Sequence, residues 1–340
     1  QTVTNELTHV FLLSVGAFLL AMFLTPIYTF FAYRYRFWKR QRSESTDGKE
    51  LKIFAKFQAA KLRRNIPTMA GVIGVISIFV VTIFFNLDRA QTWLPLAALV
   101  GGGIVGLIDD IINLRGLGGG AAGLRSPVKF ALITLIGVVL GWFFFAKLGV
   151  ASFHVPFVGE VNIGWLIVPL FAFAVVATGN AVNISDGMDG LAGGLLGISF
   201  GAFGVIALLQ QHVILAGFCF TVVGVLLSYL WFNIYPARFF MGDVGSFAYG
   251  ACLGVVAMLT DSLLLLPVIG LLFVIEAGSS LTQIVSKKLF KRKIFLSAPI
   301  HHHLEAIGWP ETKVTMRFWV IGCVMAFIGV MLALAGGHIA

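Results

Sequence analysis

VFLLSVGAFLLAMFLTPIYTFFAYRYRFWKRQR, residues 10–42, sets the solvent for the chain. Residues 10–32 carry no charge, and as a helix they are long enough to cross a hydrocarbon core of about 30 Å. Arg34, Arg36, Lys39, Arg40 and Arg42 follow at once. Lys and Arg collect in the cytoplasmic loops of membrane proteins, so this order reads as a span that exits into the cytoplasm. The run has no small-residue cleavage site and is read as a retained helix, not as a removed signal peptide.

The remaining sequence agrees. Of 340 residues 59% are hydrophobic and 11% charged, with a mean hydropathy of +0.96. Soluble domains average about 25% charged residues, so water cannot be the solvent for most of this surface. Thirty-nine glycines suit close helix packing in lipid. Cys219, Cys252 and Cys323 each lie in an apolar run, which suggests neither a disulfide framework nor a CxxC metal site.

A spanning helix takes about 20 apolar residues. That length predicts about ten spans, at 10–32, 68–86, 93–112, 127–148, 162–180, 189–209, 212–232, 244–260, 262–286 and 315–336. Pro169 and Pro267 predict bends in the fifth and ninth. The expected fold is an all-α integral membrane protein, one polytopic domain over 1–340. Placing 33–67 inside puts 22 of the 24 Lys and Arg on the cytoplasmic side and leaves only Arg89 and Lys147 opposite. Both termini are then outside. The formal charge of +9 gathers on one face, where it meets anionic headgroups and nucleotide phosphates. Positive-inside bias accounts for 34–56 without a nucleic-acid partner.

The rare polar residues fall on that same face. Asp109 and Asp110 end the third span in GLIDD, and Asn180, Asn183, Asp186 and Asp189 lie in NAVNISDGMDGLAGG between the fifth and sixth. Asp243 opens the eighth span in FMGDVGS, and His301, His302 and His303 sit between the ninth and tenth. The span count does not depend on these residues, so their coincidence points to a site there. Two acids at a helix C-terminus oppose the helix dipole and make poor caps. Being about 100° apart on a helix, Asp109 and Asp110 are expected to face different targets. The acids and amides of 180–189 recur every third residue, so neighbouring pairs share a helical face. One Asp would suffice as a cap there, and capping alone also explains Asp243.

Three consecutive histidines cannot all reach one metal from a regular element. Zn²⁺ would also want N or S ligands that this face lacks. Several carboxylates beside basic residues such as Lys61 and Lys129 suit Mg²⁺, which takes one or two carboxylates plus phosphate oxygens. With no P-loop, the combination reads as phosphate chemistry on a substrate other than ATP. Glu276 lies inside the ninth span, where a charge costs roughly 2.5–3.5 kcal/mol or more. It must face the bundle or a polar groove, or be protonated.

NAVNISDGMDGLAGG, FMGDVGS and APIHHHLEAIGWPE, with GLIDD and NIPTMAG (65–71), resemble motifs of the phospho-N-acetylmuramoyl-pentapeptide-transferases of bacterial cell-wall synthesis. PIHHHLE followed by GWPE points to that branch of the polyprenyl-phosphate N-acetylhexosamine-1-phosphate transferases. The resemblance implies a ten-helix inner-membrane bundle with both termini outside and the active site at the cytoplasmic face. It implies transfer from UDP-N-acetylmuramoyl-pentapeptide to undecaprenyl phosphate, giving lipid I and UMP with Mg²⁺. Asp243 would hold the metal. Asp109 would act on the lipid phosphate as base or nucleophile, with Asp110 near it, and His302 and His303 would lie near the substrate phosphates. Asn183, Asp186 and Asp189 would line the nucleotide pocket, and Lys129 would contact phosphate. Lys61, Thr68, Asn180 and His301 join the substrate-binding positions, and Glu276 and Gln283 sit on a bent ninth helix beside a lipid groove. Members are often dimeric, so a homodimer is admitted.

Two departures stand out. Asn113 occupies the place where the family usually has Lys, with Arg115 two residues on, and IPTMAG stands where TPTMGG is common. Direct attack by the lipid phosphate and a phospho-sugar enzyme on Asp109 or Asp110 are both open to such a site, and a phosphate nucleophile hardly needs a strong base. A sibling transferase using UDP-N-acetylglucosamine is disfavoured by the histidine motif. A secondary transporter would place its polar groups near the midplane.

Overall fold

The computed structural model describes residues 2–38, 65–116 and 123–338. The helices are α1 (Thr2–Arg34), α2 (Gly71–Phe85), α3 (Trp93–Arg115), α4 (Ser126–Ala146), α5 (Ile167–Ser185), α6 (Leu191–Leu209) and α7 (Val213–Asn233). They continue with α8 (Gly242–Leu259), α9 (Leu266–Ile269), α10 (Leu271–Leu289), α11 (Ile300–Ala306) and α12 (Glu311–Ala335). An antiparallel hairpin, β1 (Ser152–Val155) and β2 (Gly159–Asn162), stands between α4 and α5.

Every apolar run predicted as a span contains a helix, but the runs are not equal. Among the described residues, eight helices are long and apolar enough to cross a membrane unbroken. A ninth crossing needs Leu263–Ile269 and Leu271–Leu289 taken together, and these meet at 81°. Pro267 lies in the first turn of α9 and the break falls at Gly270, so the expected bend is present. Pro169 lies in the first turn of α5, where a missing N–H costs nothing, and the helix continues unbroken.

Two expected spans began too early. The 15 residues of α2 rise only about 22 Å. Residues 67–70 are not helical, because their backbone pairs with the segment before α8. Phe240 N donates to Pro67 O (2.9 Å), Ala70 N to Phe240 O (3.0 Å) and Gly71 N to Met241 O (2.9 Å). The fifth span starts at Gly164 and not at 162, because the hairpin runs to Asn162, and a short 3₁₀ turn leads into α5.

α8 is the axis of the bundle, with every residue from Gly242 to Met258 buried. α2, α3 and α5 surround it at backbone distance. A Cβ on Gly106 would lie 2.1 Å from Asp243 O, and one on Gly102 would lie 2.5 Å from Phe247 O. Small residues at these crossings replace the hydrophobic drive that lipid does not supply. On the outside, α1, α4 and α12 expose Phe11, Phe23, Leu135, Val320 and Phe327, as helices facing lipid can.

Gly106→Ala should therefore push α3 off α8 and cost about 1–3 kcal/mol, seen as earlier thermal unfolding in detergent. Gly197→Ala, with nothing within 4 Å of the added carbon, should unfold no earlier than the parent.

Candidate active site

The site begins where α8 begins. Asp243 lies in the first turn of α8, where the helix dipole favours a carboxylate. Gly242 adopts a left-handed φ of 72°, and a Cβ there would stand 2.6 Å from Asp110 Oδ2 and 2.7 Å from Thr68 Oγ1. The glycine is what lets the start of α8 close onto α3 and the 65–70 segment. Thr68 is buried in that seam, and its carbonyl accepts from the Tyr28 hydroxyl.

α3 delivers Asp109 and Asp110, and the first turn of α4 delivers Lys129. The ammonium of Lys129 donates to Asp109 Oδ2 at 3.0 Å and to Asp243 Oδ2 at 2.7 Å. It also lies 5.3 Å from the centroid of the Phe247 ring, which adds a cation–π contact. Leu124 N donates to the other oxygen of Asp109 (2.6 Å), and Val244 N donates to Asp110 Oδ2 (3.1 Å). All three carboxylates are buried, Asp110 completely.

The expectation that Asp109 and Asp110 face different targets holds only for their backbone partners. One oxygen from each, with one from Asp243, lies within 4.8 Å of the others. Asp243 enters from α8 between them, so one target is within reach of all three. Among the described residues, three carboxylates meet one ammonium, that of Lys129, which leaves two negative charges when the acids are ionised. Oxygen-only donors with that excess fit a hard divalent cation.

Asn113, one turn beyond Asp109, is buried on this face, whereas Arg115 is exposed at the end of α3. The arginine does not occupy the missing lysine's position.

The 180–189 motif divides. The helix stops at Ser185, so the every-third-residue spacing does not stay on one face. Asn183 Nδ2 donates to Ser246 Oγ at 2.9 Å, one turn beyond Asp243, and joins the aspartate cluster to the end of α5. Asn180 Nδ2 returns to Val176 O (2.8 Å), and Asp186 is the residue at which α5 ends. Asp189 turns away into a structural knot. Its Oδ2 accepts from Ala237 N (2.9 Å), its own N–H donates to Glu311 Oε1 (2.7 Å), and its carbonyl accepts from Thr315 (3.1 Å).

The three histidines have three different partners. His301, fully buried, pairs through Nδ1 with Glu276 Oε2 at 2.7 Å. That satisfies the expectation that Glu276 faces the bundle. His302 pairs with Glu305 Oε2 at 2.7 Å, and His303 Nδ1 accepts from Leu296 N at 3.2 Å. A Cβ on Gly187 would come within 2.5 Å of His301 Nε2 and 3.6 Å of His302 Nε2. This contact brings the histidine helix onto the turn after α5.

Gln283 is spent on structure. Its Oε1 accepts from Ile294 N and Phe295 N (both 3.0 Å) and its Nε2 donates to Phe295 O (2.8 Å), so it fastens the loop before α11. Lys61 lies outside the described residues. Ser246, Glu305 and the Leu124 amide take part without having been singled out. Only Glu305 left a signal, an acid three positions after a histidine in a helix.

The model of glycosyl transferase family 4 matches residues 92–261. A phospho-N-acetylmuramoyl-pentapeptide-transferase of Chloroflexus aggregans is 38% identical over 98% of this chain and 92% of its own length. The protein of that name from Chloroflexus aurantiacus is 39% identical over the same shares. One from Geobacillus thermodenitrificans is 36% identical over 92% of this chain and 94% of its own.

His301→Ala leaves the Glu276 carboxyl buried without its partner. It should destabilise the protein by about 3–5 kcal/mol. Glu276→Gln, which keeps a hydrogen bond to Nδ1, should cost less. Thermal unfolding of both variants in one detergent checks the order.

Proposed function

The chain belongs to the phospho-N-acetylmuramoyl-pentapeptide-transferases, and from that premise we propose how its residues share the transfer of phospho-N-acetylmuramoyl-pentapeptide from its UDP-sugar to undecaprenyl phosphate, which yields lipid I and UMP. It is a multi-pass protein of the bacterial cytoplasmic (inner) membrane and serves peptidoglycan synthesis. The observation that carries the proposal is the Lys129 bridge between Asp109 and Asp243, with Asp110 buried beside it. We place this cluster at the cytoplasmic face, ten spans and outside termini included, on the strength of the Lys and Arg bias. The homodimer rests on family resemblance alone.

Phosphoryl transfer needs positioning and charge neutralisation more than covalent help from the protein. Asp243, with Asp109 and Asp110 in reach, would hold Mg²⁺, which supplies neutralisation of the diphosphate when bound. Lys129 has three N–H donors and uses two on carboxylates, so the third can take a phosphate oxygen. Asn183, held through Ser246, and Asp186 face the nucleotide side of the cluster. His302 and His303, on a short helix packed against Gly187, attend the substrate phosphates. Thr68, buried beside Gly242, and Asn180 take supporting positions. Asp189, Gln283 and the His301–Glu276 pair act on substrate only through the backbone they fix.

The lipid phosphate attacks the β-phosphorus directly and UMP leaves. Both oxygens of Asp109 already accept hydrogen bonds, from Leu124 N and Lys129, and Asp110 is sealed from solvent. Neither is poised as a free nucleophile. Asp109 instead sets the position and charge of Lys129.

UMP release from UDP-N-acetylmuramoyl-pentapeptide should require undecaprenyl phosphate and Mg²⁺ and should vanish in Asp243→Ala. UDP-N-acetylglucosamine should release none. Without the lipid, labelled UMP should not exchange into the UDP-substrate, and exchange would establish a phospho-enzyme in place of direct attack.

A further inference from the structure

The chain gathers a second set of ligating groups at the opposite end of α8. The 18 residues of α8 separate Asp243 from this end by about 27 Å. There the hairpin folds over the exit of α8 and the end of α12. Its register sets His154 opposite Glu160. Asp261, two residues past α8 and left-handed at φ 51°, closes the group.

Each member has one polar atom fastened and the other left facing its neighbours. Asp261 Oδ1 accepts from His154 N (2.9 Å), and Glu160 Oε2 accepts from Ser152 Oγ (2.8 Å). His154 Nε2 lies 2.8 Å from Gly336 O. A carbonyl only accepts, so Nε2 carries hydrogen, and in the neutral ring Nδ1 carries the lone pair. That Nδ1 faces Glu160 Oε1 at 3.4 Å, longer than an ordinary N–H···O bond. Ligand atoms of His154, Glu160 and Asp261 all lie within 4.8 Å of one another.

A histidine whose second nitrogen donates to a carbonyl, aimed at carboxylates that are themselves held by donors, is the outer-shell pattern of a metal ligand. His338 stands beside it with ring centroids 4.1 Å apart. Both of its ring nitrogens are shielded from solvent and make no hydrogen bond among the described residues. Three convergent acceptors need a cation between them.

We propose that His154, Glu160 and Asp261, with His338 beside them, form a divalent transition-metal site that pins the hairpin to the ends of α8 and α12. An imidazole with two carboxylates suits Zn²⁺, unlike the oxygen-only cluster at the other end. Without metal, a shared proton stands in its place. Burial and the hydrogen bond to Glu160 push the Asp261 carboxyl up to about 7, while that bond from Asp261 holds Glu160 below its ordinary value.

Co²⁺ is the probe, added to the full chain in detergent after chelator treatment. We expect a saturable visible absorption of the intensity typical of a low-symmetry N/O site, displaced by Zn²⁺. It should be lost in His154→Ala and weakened about 10- to 100-fold in Ser152→Ala, which removes only an outer hydrogen bond. Asp243→Asn should leave it intact. UMP release by the two hairpin variants, unchanged from the parent, certifies their fold, and Ser152→Ala carries the test if His154→Ala does not fold. Absence of the absorption in the parent means a proton-sharing cluster only and overturns the proposal. So does absorption undiminished in both hairpin variants, or lost in Asp243→Asn.

Discussion

One ammonium holding two carboxylates from different helices is the contact on which the other placements depend. Lys129 ties α4 to α3 through Asp109 and to α8 through Asp243. Burying three acids beside a single lysine is costly unless each retains hydrogen-bond partners. The backbone is therefore arranged to supply donors. The Leu124 amide before α4 serves Asp109, and the Val244 amide at the start of α8 serves Asp110. The Val244 amide reaches Asp110 because Gly242 and Gly106 let α3 and α8 touch at backbone distance, and Gly123, at a positive φ of 131°, lies against Asp109 beside the Leu124 amide. Glycine content, helix crossing and site charge are thus one constraint seen at three scales.

The histidine helix is a second layer around that contact. Its buried member, His301, is anchored to Glu276 on α10, and its face against Gly187 settles on the turn after α5. Gln283 and Ser286 hold the loop that leads into it, Ser286 Oγ donating to Arg292 O at 2.9 Å. Several polar residues on α10 thus serve to aim a neighbouring element. This places His302 and His303 at the rim while their support lies in the bundle.

Apolar length and basic loops made the helices legible, and the clustering of rare acids on one face made the site legible. What stayed hidden depends on long-range pairing or on where a helix stops. Residues 67–70 look apolar enough to extend α2, yet their hydrogen bonds go to 240–241, far along the chain. Asp189 follows the same spacing as Asn183 and Asp186, but the helix ends at Ser185, so it turns toward Ala237 and Glu311. The hairpin at 152–162 is a few residues per strand between two long apolar runs, too short for its alternation to stand out. Asp261 and His154 meet only because that hairpin folds back over α8.

Binding of Mn²⁺, followed by electron paramagnetic resonance in the presence of the UDP-substrate, is the direct measure of whether the aspartate cluster holds a divalent ion. A His154→Ala background keeps the opposite end of the bundle silent. Bound Mn²⁺ should appear with Asp109, Asp110 and Asp243 intact and be lost in Asp243→Asn. Equal Mn²⁺ binding in the parent and in Asp243→Asn would contradict a metal site built on these three carboxylates.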